Sequence, residues 1–351
     1  MERTKGTESL HKQMVRKSST PEPKEKEYDG DFGMKISTGS TLLDLAISGG
    51  RVRGGGIPGG ILIEAFGPSG SGKTVLLSEI AGNIQQQGGE AKFSDPEARL
   101  NAQFAKMFGL DLKDCDYDRP DTVTELFSAI TKWNPPVTKK KVIHGWFADS
   151  LAALSTDLEM TGKDGDKMGM RRAKEFSEQL RKICRTIAQK NYIVACSNQI
   201  RVNVDAGQWG QKFITPGGSA MEFYSSLRLR FARSEKIKQV EKIAGKEEKR
   251  VIGVQTEIEV FKSSIWKPYH TAPVIILFDY GIDDIRANLQ YIKDYTKNTQ
   301  YSIRDELLGV SMENAIKKVE HYHREDELKN QVIDLWEEIE EKFYQERKPK
   351  R

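Results

Sequence analysis

Residues 67–74, Gly67-Pro68-Ser69-Gly70-Ser71-Gly72-Lys73-Thr74, carry the strongest chemical signal in the chain. They match G-x-x-x-x-G-K-[ST], a pattern built to hold phosphate. Glycines let backbone N–H groups turn inward around phosphate oxygens, where a Cβ would obstruct. Lys73 supplies a cation for the β- and γ-phosphates, and the Thr74 hydroxyl is a ligand for Mg²⁺. Val75 continues into a segment of helical pattern, 74–87, whose N-terminal dipole adds to anion binding. An apolar strand-like run, 61–66, precedes the loop. That strand–loop–helix context separates the match from a glycine-rich turn arising by chance.

Phosphate chemistry at such a loop needs carboxylates nearby. Asp149 ends the apolar run 142–148 and is the expected Mg²⁺ partner of Thr74. Glu97 follows a second strand-like run, 91–95, where a carboxylate could orient the water that attacks a γ-phosphate. Spacing alone leaves Glu97 balanced between that role and a solvated loop acid. Gln199 closes another apolar run, 192–198, and as a strand-end amide it is equally open to purely local hydrogen bonding.

The elements that must position these groups alternate. Strands are predicted at 61–66, 91–95, 142–149, 192–198, 227–232, 254–261 and 274–278. Helices are predicted at 74–87, 102–108, 122–133 and 172–189, the last with Phe176, Leu180, Ile183 and Ile187 at helical spacing. This alternation predicts an α/β fold: a P-loop NTPase core with a mostly parallel central sheet flanked by helices. The charged stretch 233–250 reads as a solvated hairpin or loop. Residues 1–33, poor in large apolar side chains, read as a mobile N-terminal arm with a short helix at 9–16. The core is expected over 34–288. Helical patterns at 311–323 and 325–346 predict a helical C-terminal region over 289–351.

Bulk composition excludes more than it selects. Lys+Arg 55 against Asp+Glu 51 leaves a net charge of +4, too balanced to announce a nucleic-acid partner by itself. No apolar run approaches the roughly 20 residues of a membrane span, and residues 1–26 lack the apolar stretch of a secretory signal. Three cysteines without a CxxC pair suggest neither a disulfide framework nor a zinc site. A cytoplasmic location and no membrane partner are expected.

Six blocks occur in the order and spacing of bacterial RecA recombinases, which the chain resembles over residues 34–285. They are 36–44 (ISTGSTLLD), the phosphate loop, 93–97 (FSDPE), 148–154 (ADSLAAL), 198–201 (NQIR) and 217–224 (GGSAMEFY). The resemblance implies that Glu97 is the catalytic glutamate and that Gln199 senses the γ-phosphate. It places Asn101 and Phe104 against adenine. It also implies two DNA loops, 160–172 and 201–218, whose glycines, cations and apolar residues suit a single strand. The DNA-contacting residues it implies are Met168, Gly169, Arg171 and Arg172, then Lys174, Ser177 and Arg181 on the following helix. In the second loop they are Arg201, Val204, Gly217 and Gly218, with Val204 at the position that inserts between bases. Trp209 and Phe213 are open to stacking on bases or to docking on their own domain.

RecA-type filaments complete the ATP site across the subunit boundary with two lysines. Lys262 matches the first; Ser264 stands at the second, and Lys267 is three residues further on. The resemblance fades after about residue 289, which suits a phage or mobile-element member. It implies an ATP- and Mg²⁺-dependent recombinase that polymerises on single-stranded DNA, pairs it with homologous duplex DNA, and hydrolyses ATP under DNA stimulation. A single-strand-binding or loader protein is a further expected partner. Two other readings share the loop and sheet: a weakly hydrolysing, ATP-regulated filament scaffold, and a helicase-type motor.

Overall fold

The computed structural model describes residues 33–136, 142–160, 168–202, 213–345 and 347. It contains two compact units that divide between Asp284 and Ile285.

The first unit begins with β1 (Lys35–Ile36), α1 (Thr41–Ser48) and β2 (Ile57–Pro58). There follow β3 (Ile61–Gly67), α2 (Lys73–Gln86), β4 (Ala91–Ser94), α3 (Ala102–Met107), β5 (Asp116–Asp118), α4 (Val123–Lys132) and β6 (Gly145–Ala148). Then come α5 (Asp157–Met160), α6 (Met168–Lys190), β7 (Ile193–Gln199), β8 (Arg201–Val202), β9 (Phe213–Ile214) and α7 (Ser219–Tyr224). The unit closes with β10 (Leu227–Phe231), β11 (Glu235–Ile243), β12 (Lys246–Ser263), β13 (Thr271–Leu277) and β14 (Gly281–Ile282).

Among the described residues ten strands form one sheet in the order β14-β13-β12-β10-β3-β7-β6-β4-β5, with β11 paired to β12. The run β10-β3-β7-β6-β4-β5 is parallel, and the β12 side is antiparallel. Parallel strands are covered on both faces, so they read as nearly unbroken apolar runs; β3 and β7 are buried along almost their whole length. On one face α4 and α6 close a core of Phe127, Trp146, Phe176, Leu180 and Ile183. Phe127 and Phe176 meet edge-to-face at 5.9 Å. The helix starts follow from local chemistry: Thr122 accepts from the Glu125 amide at 3.2 Å, and Asn101 from the Gln103 amide at 2.8 Å.

Two expectations change. Met168–Arg172 is the first turn of α6 rather than the end of an irregular loop, because Met and Arg are strong helix formers and one glycine costs only about 1 kcal/mol. The strand expected from 142 narrows to Gly145–Ala148. The charged stretch 233–250 takes one of its two expected forms, a hairpin of β11 against β12 with a register shift between Ile237 and Lys238, turning at Ala244 and Gly245 with φ of 52° and 81°. Positive φ at both central residues matches the twist of the flanking strands.

The second unit is not purely helical. It contains α8 from Ile285 onward (the helix spans Asp284–Thr296), a hairpin β15 (Tyr301–Ile303) and β16 (Glu306–Gly309), then α9 (Met312–His321) and α10 (Glu325–Lys342). The two strands are too short to show alternation. Leu328, Val332, Leu335 and Trp336 form the buried stripe of α10. No helix among the described residues is long and apolar enough to cross a membrane.

Candidate functional site

The carboxyl ends of β3, β4, β6 and β7 lie side by side in the parallel sheet, and each delivers one of the groups singled out above. A cleft of about 580 Å³ opens at that edge, lined by Ser69–Val75, Asp95, Glu97, Asp149, Ser150, Ser197 and Gln199 among others. This is where a parallel α/β sheet binds ligands.

Residues 67–75 pass from β3 into α2. Gly70 and Gly72 have φ of 71° and 94°, and Gly67 turns so close to β10 that a Cβ there would sit 2.6 Å from the Phe231 carbonyl. Glycine is therefore required at the strand exit for packing as well as for access. Ser71 donates to the Pro68 carbonyl at 2.8 Å, and Thr256 of β12 donates to the Ser71 carbonyl at 3.1 Å, so the loop is fixed from both sides. The Lys73 ammonium lies against the Gly67 and Pro68 carbonyls at 3.1 and 2.6 Å. Burial lowers its pKa; the charges of Asp149 and Glu97 oppose that shift.

Asp149 accepts from the Thr74 hydroxyl through Oδ2 and from the Ser197 hydroxyl through Oδ1. Burial raises its pKa, against both hydrogen bonds. This set of hard oxygen donors fits Mg²⁺, which takes one or two protein groups and completes its octahedron with water and phosphate. Among the described residues no three His, Cys, Asp or Glu side chains gather to form a self-sufficient metal cage.

Glu97 is held from three directions. Its Oε1 accepts from Ser150 Oγ at 2.9 Å and from Gln199 Nε2 at 3.4 Å, and Oε2 pairs with Arg99 Nη1 at 2.8 Å. Glu97, Gln199, Lys73, Thr74 and Asp149 thus share one cleft. Phe104, half exposed and stacked on Phe108 at 6.3 Å, also lines the cleft, as do Val254, Ile276, Phe278 and Asp279. Asn101 caps α3 and is not among the lining residues.

Lys262 stands apart from this cleft. On β12 its ammonium donates to the Glu222 and Phe223 carbonyls of α7 at 2.6 and 3.0 Å. Ser264 donates to the Ser226 carbonyl at 3.2 Å, and the Lys267 ammonium lies 5.5 Å above the Trp266 ring.

The described residues expected to contact DNA lie on α6, β8 and the turn before α7. On α6, Lys174 and Arg181 are exposed away from the buried stripe of Phe176 and Leu180, and Ser177 is half-buried at its edge. Met168, Gly169, Arg171 and Arg172 form that helix's first turn. Arg201 is exposed in β8, which pairs with β9, so the second loop leaves and returns at one place. Gly217 packs against Phe176, and a Cβ on Gly218 would lie 3.5 Å from that of Ala173. The end of one loop therefore rests on the helix that begins at the other. Val204 and Trp209 lie outside the described residues, as do the arm 1–32 and the segment 161–167.

Sequence reasoning missed Ser150, Ser197 and Arg99 as partners of the two carboxylates, and Phe108, Phe278 and Asp279 as cleft walls. Ser150 had a local signal, a hydroxyl beside the acid expected to bind metal. Phe278 and Asp279 had none, because they reach the cleft only through the antiparallel side of the sheet.

The family model for the RecA N-terminal domain matches residues 17–283. Protein RecA of Listeria welshimeri is 32% identical over 309 residues, covering 86% of this chain and 83% of the relative. Protein RecA of Listeria monocytogenes and of Listeria ivanovii match with the same identity and coverage.

Proposed function

The chain belongs to the RecA family, and from that premise we propose that it is an ATP-dependent recombinase that polymerises on single-stranded DNA and exchanges it with homologous duplex DNA. The observation that carries this reading is the position of Gln199. Its side chain contacts Glu97 in the phosphate cleft, while its chain continues within two residues to Arg201 at the root of the second loop.

In this reading ATP lies with its phosphates on residues 67–75 and its base beside Phe104, and Asn101, now capping α3 outside the cleft lining, turns in to meet the adenine. Lys73 exchanges the Gly67 and Pro68 carbonyls for the β- and γ-phosphates. Thr74 and Asp149 hold Mg²⁺, which neutralises developing phosphate charge when bound. Glu97 accepts a hydrogen bond from the attacking water; the new bond forms at the γ-phosphorus as the bond to the ADP oxygen breaks, and the water's proton passes to the carboxylate. Gln199 turns from Glu97 toward the γ-phosphate and so biases the loop it anchors; loss of that phosphate reverses the bias. Lys262 supplies charge across the subunit boundary.

DNA is gripped by Met168, Gly169, Arg171, Arg172, Lys174, Ser177 and Arg181 from one side and by Arg201, Val204 and the Gly217-Gly218 amides from the other. Contacts mainly to phosphates make binding tolerant of sequence and sensitive to salt. Residues 1–33 act as an arm toward a neighbouring subunit, 34–288 as the ATPase core, and 289–351 as an accessory region that a loader or single-strand-binding protein could engage. The protein works in the cytoplasm.

A strand-exchange assay with ATP, Mg²⁺ and homologous DNAs tests the proposal; joint molecules are expected, and none forming on coated single strands would refute it. A second reading rests on Ser264. A hydroxyl bound to Ser226 provides no cation for a neighbouring γ-phosphate, which favours an ATP-regulated filament scaffold of low turnover. Phosphate release with and without single-stranded DNA separates the two.

A further inference from the structure

Behind the cleft lies a chain of buried polar groups that the proposed chemistry does not use. Glu64, in the middle of β3, is fully buried, as is Asn198, next to Gln199 on β7; Arg228 of β10 is 3% exposed. Glu64 Oε1 accepts from Asn198 Nδ2 at 2.9 Å, and its Oε2 accepts from Arg228 Nε at 2.7 Å. The same Asn198 nitrogen donates to the Pro216 carbonyl at 2.9 Å, immediately before Gly217-Gly218. Its Oδ1 accepts from the Gln199 amide at 3.1 Å. Arg228 Nη1 lies 3.3 Å from Glu222 of α7, and the guanidinium lies 4.5 Å from the Phe66 ring centre.

A buried ion pair is a poor way to gain stability, since desolvation offsets the Coulomb attraction; an apolar pair of the same volume would serve a merely structural need. Here each polar atom instead reaches a different element. Asn198 joins the Gln199 backbone, the returning end of the second loop and the strand that feeds the phosphate loop. Arg228 joins that strand to α7, the helix whose carbonyls hold Lys262. The outer link is the loose one: Arg228 Nη1 is buried and makes no aligned hydrogen bond among the described residues.

We propose that Asn198, Glu64 and Arg228 are positioning residues forming a relay, by which the nucleotide state at Gln199 sets the position of the 216–224 segment and with it the Lys262 ammonium. The inference rests on the proposed ATP site. It does not require that the protein bind DNA. The Gln199 backbone N–H donates to Asn198 Oδ1, so any shift of the β7 end that accompanies the turn of the Gln199 side chain toward a phosphate is passed to Asn198. Because Asn198 also holds Pro216, movement is passed to the loop end and α7 together. Gly217 and Gly218, with φ of 91° and 60°, give the chain a pivot between the two.

The test is hydrogen exchange of the Ser219–Tyr224 amides in the full-length protein, with and without a non-hydrolysable ATP analogue and Mg²⁺. The wild type is expected to change its exchange rate there by about fivefold or more, the lower end of ordinary coupling between sites. Asn198→Ala is expected to bind the analogue with unchanged affinity while losing that response. A merely structural role would alter exchange equally with and without nucleotide. Glu222→Ala, at a half-exposed position, should reduce the response in part. A wild type with no response, or variants that respond fully, would overturn the relay. Absence of DNA binding by a responsive wild type would instead refute the recombinase reading alone.

Discussion

Gln199 Nε2 lies 3.4 Å from Glu97 Oε1, so the amide proposed to read the γ-phosphate rests on the carboxylate proposed to activate water. One contact therefore links chemistry to signalling. When the amide moves to phosphate, Glu97 loses a donor on the oxygen that Ser150 also occupies, which frees a lone pair for the attacking water.

Glu97→Gln tests the chemical half. A glutamine oxygen still accepts from Ser150 and Gln199, so nucleotide affinity should stay within about threefold. Turnover should fall about 100- to 10,000-fold, the usual worth of a positioned base. Phosphate release alongside fluorescent-nucleotide titration measures both; undiminished turnover would remove Glu97 from the role.

The subunit boundary gives a paired prediction. Lys262→Ala should leave the affinity of the isolated subunit for nucleotide unchanged, because Lys262 is outside the cleft, and lower DNA-stimulated turnover at least about tenfold. Ser264→Lys should raise that turnover by supplying the missing cation. Steady-state hydrolysis on poly-dT decides the matter; indifference to both substitutions would mean the ATP site is completed by other groups.

Much of the site was legible because its signals are local. The phosphate loop is contiguous, and Glu97, Asp149 and Gln199 each follow an apolar run that the parallel sheet brings to one edge. The cleft wall from Phe278 and Asp279 was not legible, since their approach depends on how β12 and β13 pair, a non-local property. Nor was the relay: Glu64, Asn198 and Arg228 are polar residues inside strands, and only adjacency in the sheet joins them. The C-terminal hairpin escaped notice because three- and four-residue strands show no period.

Glu79 makes the stability of the core depend on pH. It sits on α2 against Gly281, accepts from the Ile282 amide at 3.2 Å, and burial pushes its carboxyl from 4.5 up to about 7. Between those values the unfolded chain has lost this proton while the folded chain keeps it. Stability should therefore decline as pH rises from about 4.5 to 7 and level off above, by at most roughly 3 kcal/mol. Glu79→Gln should melt higher than wild type at pH 8 and equally near pH 4.5. Equal melting temperatures at pH 8 would show that the carboxyl carries no such penalty.

Phe176→Ala should affect both packing and DNA. The ring is fully buried against Phe127 and Gly217. Its loss should cost about 3–5 kcal/mol by chemical denaturation. It should also weaken single-strand binding at temperatures where the fold persists, because the loop end loses its support. Wild-type DNA affinity in a destabilised variant would mean the loop end is positioned otherwise.

The most direct test of ATP-gated DNA binding is fluorescence anisotropy of labelled oligo-dT at low salt, titrated with protein in the presence of ATP analogue and Mg²⁺, of ADP, and of no nucleotide. Tight binding with the ATP analogue, at least about tenfold weaker binding in the other two, and loss of the difference in Gln199→Ala are predicted. Affinity that is absent, or the same in all three conditions, would contradict the account.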